Sequence, residues 1–312
     1  MWLKRAGRFF IAVFFILNII AAFHAYKFTH FSNSSNLKTR VVHKLSMLQK
    51  AEIIFFGISN PRPENAVVPK SNYTTVYLKS DRKIECWHIK TKNAKGVIVL
   101  FHGYGGNKAS LLDKAEIFNQ LGYDTFLVDF MGSGGSEGNQ TSIGFFESCQ
   151  VKTCYEYLKA KGEKNVYLFG TSMGAAAIMK AVSENEINAR AIIIECPFGT
   201  MYETVCARFN MMHVPATPMA PLLVFWGGVI NGFWAFGHNP ATYAKNINLP
   251  VLLLYGAKDE KVSSIETATI FNNLKGEKSL KIYSQAGHEN YLIKYKNEWT
   301  RDVQQFLEYN SK

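Results

Sequence analysis

The apolar run Asn165-Val166-Tyr167-Leu168-Phe169 leads straight into Gly170-Thr171-Ser172-Met173-Gly174, and Ala175-Ala176-Ala177-Ile178-Met179-Lys180-Ala181 follows. The run has the pattern of a buried strand and the alanine-rich stretch that of a helix. A serine at such a turn is expected to hold a strained backbone, which needs glycine or another small residue on both sides. The turn, a nucleophile elbow, directs the hydroxyl away from the sheet. It also sets it at a helix N-terminus, where anionic charge is stabilised. A serine in front of a helix can equally be only an N-cap. Partners elsewhere in the chain have to decide.

The segments around the turn alternate. Thr74–Lys79 and Lys83–Ile89 have the character of a hairpin around Ser80-Asp81-Arg82. Strands are expected at Gly96–Phe101, Tyr123–Val128, Asn165–Phe169, Arg190–Glu195, Pro250–Tyr255 and Ser279–Tyr283. Helices are expected at Lys108–Leu121, Phe145–Lys161, Met173–Glu184, Ser263–Leu274 and Ile293–Leu307. Such alternation predicts an α/β fold, a mainly parallel sheet covered on both faces. Sites in such sheets lie beyond the carboxyl ends of the strands. There the sequence places His102-Gly103-Tyr104-Gly105-Gly106, the glycine-rich turn after Asp129, the serine turn, Gly256-Ala257-Lys258-Asp259 and Gln285-Ala286-Gly287-His288.

A serine hydroxyl attacks only when a neighbouring base takes its proton, and a carboxylate then fixes that base. Ser172, Asp259 and His288 supply the three groups in that chain order. His102 is the rival base, although its place before a glycine turn suits loop support. Glu195 and Asp129 are rival acids. An oxyanion needs two backbone donors, expected at the amides of Met173 and Tyr104. No phosphate-loop signature accompanies the glycines.

Composition narrows the class. The net charge is +11, but the first 60 residues carry +7 of it (Lys4, Arg5, Arg8, Lys27, Lys38, Arg40, Lys44 and Lys50 against Glu52). The excess thus flanks a hydrophobic segment, which points to anionic lipid rather than nucleic acid. The five cysteines form no Cys-x-x-Cys pair and no zinc spacing, so neither a metal nor an organic cofactor is implied. Phe9 to Ala25 is apolar apart from Asn18, His24 and small residues, and a helix of this length covers about 25 Å. Phe23 or Ile20 would occupy the −3 position of a cleavage site, which favours an uncleaved anchor over a secreted or periplasmic product. Lys4, Arg5 and Arg8 favour an N-terminus in the cytoplasm and a catalytic domain outside it. The other possibility is an interfacial helix on the cytoplasmic face. The expected organisation is an anchor over 1–26, a connector over 27–65 with an amphipathic helix at Leu37–Phe56, and a main domain over 66–312.

Taken jointly, these motifs resemble the alpha/beta-hydrolase superfamily, and most nearly its serine aminopeptidase-like and monoacylglycerol lipase-like branch. The resemblance covers roughly residues 74–309. It implies an eight-stranded, mostly parallel sheet with a small helical cap and a hydrolase that acts on carboxylic esters through a serine. Aminopeptidase, other amide or thioester hydrolase, and a non-catalytic binding protein on the same fold are the alternatives. Met131 departs from the family pattern, which often has arginine there. In the family the stretch equivalent to 196–246 often forms a cap. Here it is rich in Met, Phe and Trp, in keeping with an acyl-bearing small-molecule substrate or merely with its own core. An aminopeptidase would want an acid in this stretch to meet a free amine, and Glu203 is one candidate.

Overall fold

The computed structural model describes residues 2–32, 48, 52–53 and 56–311. The helix expected over 37–56 lies largely outside them. Eight strands form one sheet in the order β1-β2-β4-β3-β5-β6-β7-β8. They are β1 Tyr73–Lys79, β2 Lys83–Ile89, β3 Val97–Phe101, β4 Asp124–Val128, β5 Val166–Thr171, β6 Ala191–Glu195, β7 Val251–Gly256 and β8 Lys278–Tyr283. β1 and β2 are antiparallel to their neighbours, and from β4 to β8 all pairings are parallel. This is the mostly parallel sheet that the alternation predicts.

The helices are α1 Trp2–Thr29, α2 Leu112–Gln120, α3 Glu147–Ala160, α4 Met173–Glu184, α5 Met201–Met212, α6 Met219–Asn231, α7 Pro240–Tyr243, α8 Ser264–Asn273, α9 Tyr291–Lys294 and α10 Lys296–Tyr309. Two of them differ from expectation. The 108–121 helix begins as a 3-10 turn, Lys108–Leu111, capped by the Asn107 side chain on Ser110 N. The closing helix is broken at Tyr295, whose hydroxyl accepts a hydrogen bond from Gln285 N at 2.8 Å.

The central strands β3, β4, β5 and β7 are buried on both faces, as continuous apolar runs must be in a covered parallel sheet. One face carries Ile98, Leu100, Tyr167, Phe169, Ile193, Leu252 and Leu254, packed with Phe118 of α2 and with Trp299, Val303 and Phe306 of α10. The α10 residues recur at the spacing of one helical face. Phe118 meets the Trp299 ring at 5.7 Å between centroids. α3 and α4 pack against β5 as well.

The chain divides into two compact units. One comprises Met1–Pro61 with Thr200–His238, and the other Arg62–Gly199 with Asn239–Lys312. The second holds the whole sheet. In the first, α1 packs against α6 and α6 against α5.

The serine turn shows why its glycines are there. A Cβ on Gly170 would lie 2.6 Å from Gly174 C, and one on Gly174 would lie 2.3 Å from Phe101 O. Both atoms are backbone of the sheet and turn and cannot swing aside. Gly174→Ala is therefore expected to cost about 1–3 kcal/mol of stability. A urea midpoint unchanged from the parent would refute that reading.

Candidate active site

Ser172 stands between β5 and α4 with φ 51° and ψ −110°, the positive φ that the elbow requires. Ser172 N donates to Glu195 O at 2.8 Å, which ties the strained residue to the end of β6. Asp259 follows β7 and His288 follows β8, so the three groups hang from the same sheet edge. His288 Nε2 lies 3.0 Å from Ser172 Oγ, and His288 Nδ1 lies 2.7 Å from Asp259 Oδ2. Asp259 Oδ1 accepts from Lys261 N at 2.8 Å and Val262 N at 3.0 Å. The carboxylate is fully buried, so these amides replace water as its donors. The Asp259 contact selects the tautomer with hydrogen on Nδ1, leaving Nε2 as an acceptor for the serine proton.

The rivals face elsewhere. Glu195 is buried; its Oε1 accepts from Trp299 Nε1 at 2.7 Å and its Oε2 lies 3.7 Å from Lys114 Nζ. Burial pushes the Glu195 carboxyl above its usual range, and Lys114 opposes that rise. Lys114 Nζ also meets Asn290 Oδ1, and Asn290 Nδ2 donates to Asp113 Oδ2 at 2.5 Å. Asn290 is two residues past His288, so this buried network pins the loop that carries the imidazole. Sequence reasoning missed it, because lysine in a helix reads as solvated surface.

Asp129 braces the glycine loop. Its carboxylate accepts from Lys108 N at 2.7 Å, Gly135 N at 2.9 Å and Asn65 Nδ2 at 2.7 Å, and pairs with the buried Lys108 ammonium. Burial raises its pKa, but the Lys108 and His102 fields outweigh burial and hold it below the usual carboxylate range. His102 is also buried. Its Nε2 accepts from Phe130 N at 3.1 Å, so its Nδ1 carries the hydrogen and donates to Gly103 O at 2.8 Å. Burial is the main cause that lowers its pKa from the usual 6.5. The unfolded chain therefore binds a proton that the folded chain refuses. This contribution to stability is fully present above the ordinary histidine pKa and is lost as pH falls below it. The Tm is expected to drop between neutral and mildly acid pH, and His102→Gln is expected to flatten that part of the profile in differential scanning calorimetry. An unchanged slope in the variant would assign the acid loss to other groups.

Tyr104 and Met173, the two sequence-predicted oxyanion donors, border Ser172. Met173 opens α4, where helical amides have no intrahelical partner. Tyr104 lies in a turn closed by Gly106 N donating to Gly103 O at 3.1 Å, with Gly105 at φ 62°. A Cβ on Gly103 would be 3.6 Å from Ser172 Cβ, so the turn runs against the serine. A second loop supports Met173. The buried Glu147 carboxylate accepts from Thr141 Oγ1 at 2.6 Å, Ser142 N at 3.1 Å and Gly144 N at 2.9 Å, and Thr141 Oγ1 lies 3.3 Å from Met173 Sδ.

Cys196 is the neighbour the sequence did not single out. It has φ 41°, and its thiol, an Asp259 oxygen and a His288 nitrogen all lie within 4.8 Å of one another. Sulfur, oxygen and nitrogen so arranged have the chemistry of metal ligands. Here the acid and base already engage each other, and burial pushes the thiol well up, which disfavours the thiolate a metal would take.

A family model described as "Serine aminopeptidase, S33" matches residues 92–224. The esterase Pf2001 of Pyrococcus furiosus superposes with a TM-score of 0.65 at 21% identity, over 80% of this chain and 99% of that one. The chain has the alpha/beta-hydrolase fold. Among its relatives, the uncharacterized protein YqkD of Bacillus subtilis is 26% identical over 72% of this chain and 75% of its own length. A carboxylesterase of the same organism is 22% identical over 70% of this chain and 94% of its own length. The residues matched by the family model span the glycine turn, Asp129 and the serine elbow of this chain, while Asp259 and His288 lie beyond them. α1 is long and apolar enough to cross a membrane, a property shared by membrane anchors and signal sequences.

Proposed function

We propose that this chain is a hydrolase that cleaves carboxylic esters through an acyl-enzyme on Ser172. The hydrogen-bonded series Ser172–His288–Asp259, with separations of 3.0 and 2.7 Å, carries the proposal. His288 Nε2 takes the proton of Ser172 Oγ as the oxygen attacks the acyl carbonyl. Asp259 holds the ring in the acceptor tautomer and stabilises the imidazolium. The Met173 and Tyr104 amides receive the oxyanion. The same proton then passes to the alcohol as it leaves. Water, activated by His288, attacks the acyl-serine, and the acid departs. No metal or organic cofactor enters any of these steps.

The esterase and carboxylesterase relatives support an ester substrate over an amide. Glu203, one candidate for the acid an aminopeptidase would use for a free amine, is an exposed helix-start residue whose Oε2 accepts from Thr200 Oγ1 at 2.9 Å. The physiological setting we favour is a membrane, with α1 retained as an anchor and the main domain outside the cytoplasm. A fluorophosphonate probe is expected to label Ser172 stoichiometrically and to abolish turnover of p-nitrophenyl esters. Absence of labelling on a folded, full-length sample would remove the esterase reading. Faster turnover of aminoacyl-amides than of esters would replace it with the peptidase one.

A further inference from the structure

The N-terminal helix is not a lone apolar rod. Asn18 lies at the centre of the uncharged stretch between Arg8 and Lys27. That stretch of 18 residues is about 27 Å long, close to the hydrocarbon thickness of a bilayer. An asparagine amide at that depth is costly unless its polar atoms find partners. Both do. Asn18 Nδ2 donates to Phe14 O at 2.9 Å within α1, and Asn18 Oδ1 accepts from Trp226 Nε1 of α6 at 3.0 Å. The less exposed row of α1 is Val13, Leu17, Ala21, Ala25 and Thr29, spaced by four, with Ala21 and Ala25 buried. Small side chains on such a row let two helices approach closely.

α6 has the composition of a lipid-immersed helix. From Val214 to Gly237 the chain has no charged residue over 24 positions. α6 still shows Phe225 at 41% and Val229 at 53% exposure, while α1 shows Phe15 at 60% and Ile19 at 68%. Lys4, Arg5 and Arg8 at the start of α1, with Lys27 at its end, suit anionic headgroups. A 13-residue helix is about 20 Å long, too short to cross.

We propose that α6 is the intramembrane partner of α1: the two enter the bilayer as a pair joined by the Asn18–Trp226 hydrogen bond, with α6 dipping in and returning on the same side. The occupant of the exposed apolar faces of both helices is lipid acyl chain. The proposal is independent of the Ser172 chemistry, but it rests on the reading of α1 as a membrane helix.

The test uses the full chain in phosphatidylcholine–phosphatidylglycerol vesicles, with Cys149 and Cys206 replaced by serine and single nitroxides placed at Phe15→Cys, Phe225→Cys, Val229→Cys and Ile265→Cys. Collisional relaxation by oxygen reports lipid, and relaxation by a water-soluble nickel chelate reports solvent. Oxygen is expected to dominate at 15, 225 and 229, and nickel at 265, which is 76% exposed. Nickel dominance at 225 and 229 with oxygen dominance at 15 would overturn the pairing while leaving the anchor in place. Nickel dominance at 15 would remove the anchor and the proposal together. Neither result bears on probe labelling of Ser172, so the catalytic reading is tested separately.

Discussion

Ser172→Ala is expected to lower kcat for p-nitrophenyl esters by about 10⁵- to 10⁶-fold, with the Tm and the far-UV circular dichroism unchanged. The size follows from the way the three groups act. Ser172 Oγ lies 3.0 Å from His288 Nε2, so on the proposed mechanism removing it removes the covalent step rather than weakening it. What survives is binding and the backbone donors, which hydroxide or water can still exploit. Asp259→Asn keeps the shape but can donate toward Nδ1, which favours the wrong ring tautomer. A loss of about 10⁴-fold is expected there. Because the two substitutions disable one unit, the double variant should be no slower than Ser172→Ala alone. Multiplicative losses, or retained turnover in Ser172→Ala, would mean another group is the nucleophile.

Asp129→Ala is expected to cost about 3–5 kcal/mol, a large part of the total stability of a domain. Lys108 is fully buried and would lose one of its two carboxylate partners, Glu85 at 2.6 Å remaining. The Lys108 and Gly135 amides and the Asn65 side chain would lose their acceptor as well. Urea denaturation measures the loss. Lys108→Met combined with Asp129→Leu should recover part of it, since it leaves no isolated charge in the core. The same carboxylate makes a pH statement. Its folded pKa is depressed, so its contribution is present above the ordinary aspartate range. It is lost as pH falls through the lowered value. An Asp129→Ala penalty below about 1 kcal/mol would show that Glu85 alone neutralises Lys108.

The sheet was legible because each central strand is a short apolar run closed by glycine, proline or a charge. The candidate site was legible because its residues fall just past those runs. Boundaries moved by a residue or two, as at β5, where Gly170 and Thr171 continue the ladder against β6 before the turn breaks it. The break at Tyr295 was not legible, because it depends on a hydroxyl bound by a loop ten residues earlier. Lys108, Lys114 and Glu147 were not legible either. Local sequence assigns charged side chains to solvent, and only the tertiary partners Asp129, Glu195 and Thr141 explain their burial. Cys196 escaped for a related reason. Its importance is a distance, and nothing near it in sequence announces Asp259 or His288. The grouping of 200–238 with the N-terminal segment needed the Trp226–Asn18 contact, which spans 208 positions of chain.

The order of the strands has a consequence for how the proposed site would be lost on unfolding. The serine hangs from β5 in the middle of the sheet, whereas the histidine hangs from β8, which has a partner on one side only and a half-exposed face. Local opening costs least where buried apolar contacts are few and backbone hydrogen bonds are exposed. Ser172 thus follows a buried central strand and His288 a half-exposed edge strand. If Ser172 and His288 act together as proposed, ester turnover is expected to fall at a lower denaturant concentration than the far-UV circular dichroism does.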